Sequence, residues 1–263
     1  MGDCVFDLAS AAHLERIRDR AMAENIPLHG TLDLTHRCNL RGSHCYLGSH
    51  EHEVERLQKE MSTAQVLGLL DEMAEAGCLY LLISGGEPLL RPDFCEIYRH
   101  ARALGMWVSV FTNGTLLSEE HMEAFREYPP YLVEITLYGA TERTYETVTG
   151  VPGSFARCRK AIDRLVGGGV RLILKTIILK ANAAEVPDME GLARSLGVRF
   201  RIDGTIMARV DGDKGPLAQR LRAEEVVEIE FANPERFEQC EEFYLKTRAF
   251  NFSTALYQCA AGR

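Results

Sequence analysis

Short apolar segments alternate with amphipathic segments along most of this chain, and the alternation restricts the folds that it can adopt. Six apolar segments have the length and composition of buried strands, and they lie near 32–34, 79–83, 107–111, 131–137, 170–179 and 198–203. Five predicted helices separate them, near 62–77, 93–104, 118–127, 154–166 and 182–196. Strands and helices in this order pair through right-handed crossovers into a parallel sheet. A doubly wound sheet and a barrel both satisfy this requirement.

Local signals support these assignments. Ser62 and Gln65 have the spacing of a capping box, which marks the start of a helix. The run from Leu79 to Ile83 is continuously apolar, as is typical of a parallel strand that is covered on both faces. The segment from Gly48 to Lys59 is polar and charged, and we expect it to be an exposed excursion.

The chain length and composition favour one main domain. A chain of 263 residues with 46% hydrophobic content can enclose one large core. We predict an N-terminal helical extension over 1–30, a main domain over 31–221 and a C-terminal extension over 222–263. The first of these rests on an amphipathic pattern that begins near Leu8 and stops before Pro27.

Charge and cysteine content exclude several classes of function. A net charge of −8 and a pI near 5.6 provide no long-range attraction for nucleic acid or for an anionic membrane, and we expect neither partner. No segment approaches 18 apolar residues, and residues 1–26 contain no apolar run long enough for a signal peptide, so a cytoplasmic location is expected. Eight cysteines are too few for a disulfide scaffold in a chain of this length. We expect Cys78, Cys95 and Cys158 to be buried packing residues.

Three polar loops follow the first three predicted strands. The first contains Cys38 and Cys45, which are seven residues apart, and a loop of that length can wrap a cluster of iron and sulfide, which binds thiolate ligands. The second reads Ser84-Gly85-Gly86-Glu87-Pro88, and the third reads Thr112-Asn113-Gly114. Taken alone, the second and third loops are ordinary turn sequences.

Taken together, these loops resemble the radical S-adenosylmethionine (SAM) superfamily, in which the loop after the first strand reads C-x3-C-x2-C. The match comprises Cys38-Asn39-Leu40, Cys45-Tyr46, the GGEP sequence and the TNG sequence. The resemblance implies an α/β fold, a partial (β/α)6 TIM-like barrel with parallel strands. It also implies a [4Fe–4S] cluster held by Cys38 and Cys45, and SAM as the second cofactor. In this family one-electron cleavage of SAM yields methionine and a 5′-deoxyadenosyl radical, which abstracts hydrogen from the substrate.

The resemblance also implies the residues that bind SAM. Gly85 and Gly86 let backbone approach the ligand, and the carboxylate or the carbonyl group of Glu87, beside Pro88, meets the SAM ammonium. Asn113 contacts the ribose. His44 occupies a position that is usually aromatic in the family. Polar residues at strand ends are further candidates for the same rim: Thr136, Lys175, Thr176, Asp203 and Arg209.

This chain departs from the family pattern at Gly42, which stands where the middle cysteine is expected. Loss of one of three thiolate ligands predicts little stable cluster and poor SAM cleavage. Two alternatives stay open. His44 could bind iron through its imidazole, as histidines do in Rieske centres. A non-catalytic relative that retains the barrel could instead bind zinc through Cys38, Cys45, His50 and His52, although one residue between the histidines is not a usual spacing.

The last residues carry a weaker resemblance. Tyr257 to Arg263 resembles the CxAGR segment that opens the SPASM or twitch extension of peptide-maturing members, and the sequence stops there. We therefore expect 222–263 to be the start of a truncated extension without an auxiliary cluster, with Cys259 and Cys240 as weak candidate ligands. The resemblance implies a peptide or small-protein substrate and an electron donor such as a flavodoxin or ferredoxin.

Overall fold

Six parallel strands form one sheet in the computed structural model, which describes residues 8–48 and 53–248. The strands are β1 (His29–Asp33), β2 (Tyr80–Ser84), β3 (Trp107–Thr112), β4 (Leu132–Thr136), β5 (Leu172–Ile177) and β6 (Arg199–Asp203). Each strand pairs in parallel with the next, so the spatial order is the chain order. A doubly wound sheet reverses its strand order at a switch point. The order found here contains no reversal, which confirms the partial barrel and leaves β1 and β6 as its two edges.

Ten α-helices lie within the described residues. They are α1 (Leu8–Glu24), α2 (Glu53–Lys59), α3 (Thr63–Glu75), α4 (Phe94–Ala103), α5 (Glu119–Glu127), α6 (Glu142–Thr149), α7 (Ser154–Gly167), α8 (Val186–Ser195), α9 (Ala223–Phe231) and α10 (Pro234–Arg248). The predicted helices are confirmed to within a few residues. At the start of α3, the Ser62 side chain accepts from the Gln65 amide, and the Gln65 side chain accepts from the Ser62 amide.

Three helices were not predicted. The segment that we expected to be an exposed excursion contains α2, and the loop after β4 contains α6. Thr141 caps α6 by accepting from the Thr144 amide, and Gly150 ends it in the left-handed conformation with φ 66°. The third is α10.

The core lies between the sheet and the helices that cover it. Leu81 and Ile83 of β2 are buried, and they belong to the same apolar cluster as Phe94 and Ile97 of α4. Each such side chain stabilises the fold by about 1.5–3 kcal/mol through its burial. Cys78, Cys95 and Cys158 are buried free thiols, as expected for packing residues.

The strands end level with one another. Asp33 pairs with Ser84 at the ends of β1 and β2, and Thr136 pairs with Lys175 near the ends of β4 and β5. Because parallel strands all point the same way, the loops that follow them meet at one rim, which we call the carboxyl rim. All three motif loops lie there.

The C-terminal elements pack against the barrel. Ile229 of α9 contacts the main apolar cluster, and Arg236 of α10 forms an ion pair with Glu190 of α8 at 2.9 Å. A domain boundary at residues 221 and 222, like the extension predicted over 1–30, stays a prediction. Within the part of the chain that the structure describes, no helix combines the length and apolar character needed to cross a membrane.

Candidate cofactor site

A cavity of about 380 Å³ opens at the carboxyl rim. The cysteine loop, which we define as residues 35–47, forms one wall, and the ends of β2 to β6 form the others. Eight of the ten residues predicted to bind metal or cofactor line it, namely Cys38, His44, Cys45, Gly85, Gly86, Asn113, Thr136 and Lys175. A cavity of this size falls within the range of small-molecule sites. The structure places these residues together, and the identity of the molecules that they bind stays a prediction.

Glu87 and Pro88 are the two predicted residues that do not line the cavity. The Glu87 side chain is fully buried, and its carboxylate accepts hydrogen bonds from Thr112 Oγ1 at 2.6 Å, the Asn113 amide at 2.7 Å and the Leu89 amide at 3.0 Å. All three donors belong to the protein, and contact of Glu87 with the SAM ammonium, through its carboxylate or its carbonyl group, stays a prediction. The carboxylate joins the loop after β2 to the loop after β3.

Gly85 and Gly86 let two loops approach each other. The Gly86 amide donates to the Thr35 carbonyl at 2.7 Å. A Cβ atom on Gly86 would lie 2.1 Å from the Arg37 carbonyl oxygen, and one on Gly85 would lie 2.3 Å from that of Thr35. Gly85 also has φ +128°, a conformation that side chains rarely adopt. We predicted these glycines for contact with a ligand, and the structure adds contact with the cysteine loop.

The Asn113 amide group connects the third loop to the first. Its Nδ2 donates to Asn39 Oδ1 at 2.9 Å and approaches Cys38 Sγ at 3.8 Å. Its Oδ1 accepts from the amide and the hydroxyl of Thr115, at 2.9 and 2.6 Å. Asn113 therefore orients Cys38 as well as lining the cavity.

Further contacts fix the cysteine loop at both ends. Glu60 accepts from Arg37 Nε at 2.8 Å and from the hydroxyl of Thr35. Farther along the loop, the Arg41 amide donates to the Thr149 carbonyl at 2.7 Å, and the Tyr46 carbonyl accepts from the Val210 amide at 2.9 Å. Nothing in the sequence motifs indicated Glu60 or Thr149.

The two thiols differ from free surface cysteines. Both are partly buried, and burial raises the pKa of Cys38 to about 12, an effect that the Leu40 amide partly offsets by donating to Sγ at 3.4 Å. Cys38 is therefore a neutral thiol until a metal displaces its proton, since metals bind the thiolate.

Position 42 lies directly beside the His44 ring. A Cβ atom on Gly42 would be 3.0 Å from His44 Cε1 and 3.4 Å from Nδ1. The imidazole also contacts the Tyr138 ring, with centroids 4.9 Å apart. Burial lowers the pKa of His44 to about 4, so the ring is neutral. Its Nδ1 is buried and has no hydrogen-bond partner among the described residues.

The far side of the cavity is charged. Lys175 Nζ lies 3.6 Å from an Asp203 carboxylate oxygen and 4.0 Å from one of Glu134, which also pairs with Arg201 at 3.5 Å. Thr136, Lys175 and Asp203 all line the cavity.

Two of the strand-end candidates, Thr176 and Arg209, do not line the cavity. Thr176 is fully buried and contacts Asn182, because successive strand residues point to opposite faces and Lys175 occupies the cavity side. Arg209 pairs with Asp213 at 2.7 Å. Ile206 and Met207, which no motif indicated, line the cavity instead.

These residues fit an iron–sulfur cluster better than a single metal ion. No group of three His, Cys, Asp or Glu side chains within 8–48 and 53–248 is placed to hold one metal ion. The ligands of a cluster bind different irons and need not converge on one point. Two thiols and an unpartnered buried nitrogen line one cavity, which is a donor set suited to iron. His50, His52 and Cys259 lie outside the described residues, and Cys240 is exposed on α10.

The chain is similar in sequence to members of one protein family. The model of the Radical SAM superfamily matches residues 32–193, more than half of the sequence. PqqA peptide cyclase from Gluconobacter oxydans is 34% identical over 171 residues, which are 65% of this chain and 47% of the relative. AdoMet-dependent heme synthase from Methanosarcina barkeri is 34% identical over 173 residues, which are 66% and 49%. The chain spans about half the length of these curated relatives.

A solved structure with a similar fold is Streptococcus suis SuiB. SuiB bound to S-adenosylmethionine has a TM-score of 0.63 at 16% identity, covering 98% of this chain and 58% of SuiB. SuiB bound to its precursor peptide SuiA has a TM-score of 0.63 at 14% identity, covering 94% and 54%. At these identities the likeness establishes the fold.

Proposed function

The chain belongs to the radical SAM superfamily, and from this premise we propose that it binds a [4Fe–4S] cluster and SAM at the carboxyl rim and modifies a peptide or small protein. One observation carries the proposal. Three motif loops, distant in sequence, surround one cavity that contains both Cys38 and Cys45. When bound, the cluster and SAM together supply a 5′-deoxyadenosyl radical that abstracts hydrogen from a substrate.

Different residues of this chain bind the cluster and SAM. Cys38 and Cys45 hold the cluster as thiolates, and the Asn113 amide and the Arg37–Glu60 pair keep Cys38 in place. Gly85 and Gly86 present backbone to SAM, and Thr136 offers a hydroxyl. Lys175 provides a positive charge for the SAM carboxylate in a partly buried site, where such a charge acts strongly.

Two facts favour a peptide over other substrates. The relative from Gluconobacter oxydans is named for a peptide substrate, and the tail from Tyr257 to Arg263 has the CxAGR pattern of peptide-maturing members. A tetrapyrrole is the second candidate, because the heme synthase relative is equally similar to this chain. A reducing cytoplasm would keep the thiols available for metal. A flavodoxin or ferredoxin would supply the electron for SAM cleavage.

Anaerobic reconstitution tests the proposal. Contrary to the expectation from the loss of a thiolate at Gly42, the proposal requires iron and sulfide in equal amounts, and 5′-deoxyadenosine that forms from SAM only with a reductant. The double variant Cys38→Ser, Cys45→Ser should lose both, whereas the matched control Cys240→Ser, which changes an exposed thiol on α10, should keep both. Zinc, or no metal, in every protein would instead support a non-catalytic relative that retains the barrel, the alternative that Gly42 keeps open.

A further inference from the structure

The proposed cluster site lacks one ligand. Cys38 and Cys45 supply two thiols, and Gly42, at the third position of the motif, has no side chain. Ligands bind different irons of a cluster, so a third donor must come from another residue that reaches the same cavity. The inference that follows rests on the proposed function and identifies that donor.

His44 occupies the space beside Gly42. A Cβ atom at position 42 would lie 3.0 Å from one carbon of the imidazole and 3.4 Å from Nδ1, which is the region that a cysteine side chain would fill. His44 lines the same cavity as both thiols. Its side chain is only 8% exposed, so its orientation is set by its neighbours rather than by solvent.

The Nδ1 atom of His44 lacks a partner in the described part of the protein. It is buried, and it neither accepts nor donates a hydrogen bond among the described residues. An unsatisfied buried polar atom of this kind costs about 1–3 kcal/mol, and such atoms in native proteins are commonly paired by a bound group. The contact with Tyr138, at a centroid distance of 4.9 Å, needs only a ring, which phenylalanine would provide without that cost. The nitrogen therefore requires a separate explanation.

We propose that His44 is the third protein ligand of the cluster and binds one iron through Nδ1. The neutral ring has a lone pair on Nδ1 when its proton is on Nε2, and imidazole is a suitable ligand for iron. Cys38 and Cys45 each release a proton and bind as thiolates, whereas His44 releases none. The ligand set therefore carries two negative charges instead of three. The lower negative charge raises the reduction potential of the cluster, as histidine ligands do in Rieske centres.

The experiment compares four proteins, with His29→Phe as a fifth, control protein. All are reconstituted anaerobically without SAM, because the SAM amino group would add a nitrogen of its own. The four are the unmodified chain, His44→Phe, Gly42→Cys, and the double variant Gly42→Cys, His44→Phe. Phenylalanine keeps an aromatic ring at this position and removes both ring nitrogens. The measurements are iron and sulfide per chain, the reduction potential, and pulsed electron paramagnetic resonance of the reduced cluster with ¹⁵N-labelled histidine.

We expect the unmodified chain to hold a cluster with strong histidine nitrogen coupling. His44→Phe should lower cluster content at least about tenfold, since even disturbing a neighbour of a ligand costs 10–100-fold in affinity. The double variant should regain the cluster without nitrogen coupling. Gly42→Cys should hold at least as much cluster as the unmodified chain, with a more negative potential. His29→Phe, the same substitution at the opposite end of β1, should change nothing.

The outcomes separate failure of this inference from failure of the proposed function. Full cluster content in His44→Phe, or a cluster in the unmodified chain without nitrogen coupling, would overturn the role of His44 and leave the proposed function intact. A cluster that forms only in the two Gly42→Cys proteins would overturn both the role of His44 and cluster binding by the unmodified chain. No cluster in any of the four, with all four folded by circular dichroism, would overturn the proposed function itself.

Discussion

Glu87 illustrates how a motif residue can join two loops of the site. Its carboxylate is fully buried and accepts three hydrogen bonds from the loops after β2 and β3. Burial raises the pKa of Glu87 to about 7, although these donors oppose the shift. The two loops that Glu87 joins both border the cavity. Binding of a proton to Glu87 therefore changes the hydrogen bonds that hold these two loops together.

This shift predicts a pH dependence of stability. Between about pH 4.5 and 7 the folded chain holds a proton on Glu87 that the unfolded chain releases, so stability falls as pH rises, by up to about 1.4 kcal/mol per unit. Glu87→Gln does not titrate, and it leaves one backbone amide without an acceptor, which costs about 1–3 kcal/mol. The stability advantage of the unmodified chain over Glu87→Gln should therefore shrink from pH 5 to pH 7 in urea unfolding. An advantage that stays constant would show that the proton is not bound there.

Gly86 provides a second test at the residue scale. A methyl group on it would lie 2.1 Å from the Arg37 carbonyl oxygen, so Gly86→Ala must push the cysteine loop away, at a cost of about 1–3 kcal/mol. Gly68→Ala is the matched control. Gly68 lies within α3 with nothing within 4 Å of the added methyl group, and the change should stabilise by about 0.5–1 kcal/mol. Urea unfolding measures both, and equal effects would mean that the close contact between the loops does not exist.

At the scale of elements, the cysteine loop depends on a residue that lies outside every motif. Glu60, just before α3, binds both Arg37 and Thr35, and its side chain is only 12% exposed. Although burial alone would raise the pKa of this carboxyl, the hydrogen bonds and charge of Arg37, with Thr35, hold it below its ordinary value. The segment that precedes Cys38 is thus tied to the helical layer.

Removing this charge should loosen the loop. Charged hydrogen bonds of this kind contribute about 1.5–3 kcal/mol, so Glu60→Gln should speed amide hydrogen exchange over residues 35–41 by roughly ten- to a hundredfold. The control is Glu127→Gln, since the pair of Glu127 with Arg99 is largely exposed and such pairs contribute little. Exchange that is unchanged in Glu60→Gln, or equally faster in both variants, would show that the pair does not hold the loop.

Two of the three helices that the sequence did not reveal, α2 and α6, have only seven and eight residues. The α6 sequence ERTYETVT has three threonines and one valine in eight residues, and β-branched residues lower helix propensity. It forms because Thr141 caps it and because Tyr145 and Val148 are buried. The long predicted elements needed no such support, since the capping box at Ser62 and the apolar runs of the strands are local signals. Local pattern therefore predicted the alternating strands and helices, the family resemblance predicted the barrel, and tertiary contacts determined the remaining helices.

For the whole molecule, the parallel topology explains why most of the site could be predicted. Once strands and helices alternate, every loop after a strand reaches the carboxyl rim, so motif residues as distant as Cys38 and Lys175 meet there. The sequence could not show which face of a loop each side chain takes. Glu87 points between loops, Asn113 toward the cysteine loop, and Ile206 and Met207 complete the cavity. Those roles depend on contacts between loops, which no single motif contains.

Because the proposed SAM site includes loops other than the cysteine loop, we expect the chain to bind SAM even without metal. Gly85, Gly86, Asn113 and Lys175 line the cavity, and all four lie outside the cysteine loop. A ligand that binds only the folded state, at a concentration one hundred times its Kd, stabilises that state by about 2.7 kcal/mol. At 2–4 °C per kcal/mol, this corresponds to a rise in Tm of roughly 5–10 °C. Apo protein should show a rise with SAM in calorimetry. Asn113→Ala should weaken it, because that amide both lines the cavity and orients Cys38, whereas Ser195→Ala at the exposed end of α8 should not. No rise in the unmodified chain, or equal rises in both variants, would mean that these loops bind SAM only through the cluster or not at all.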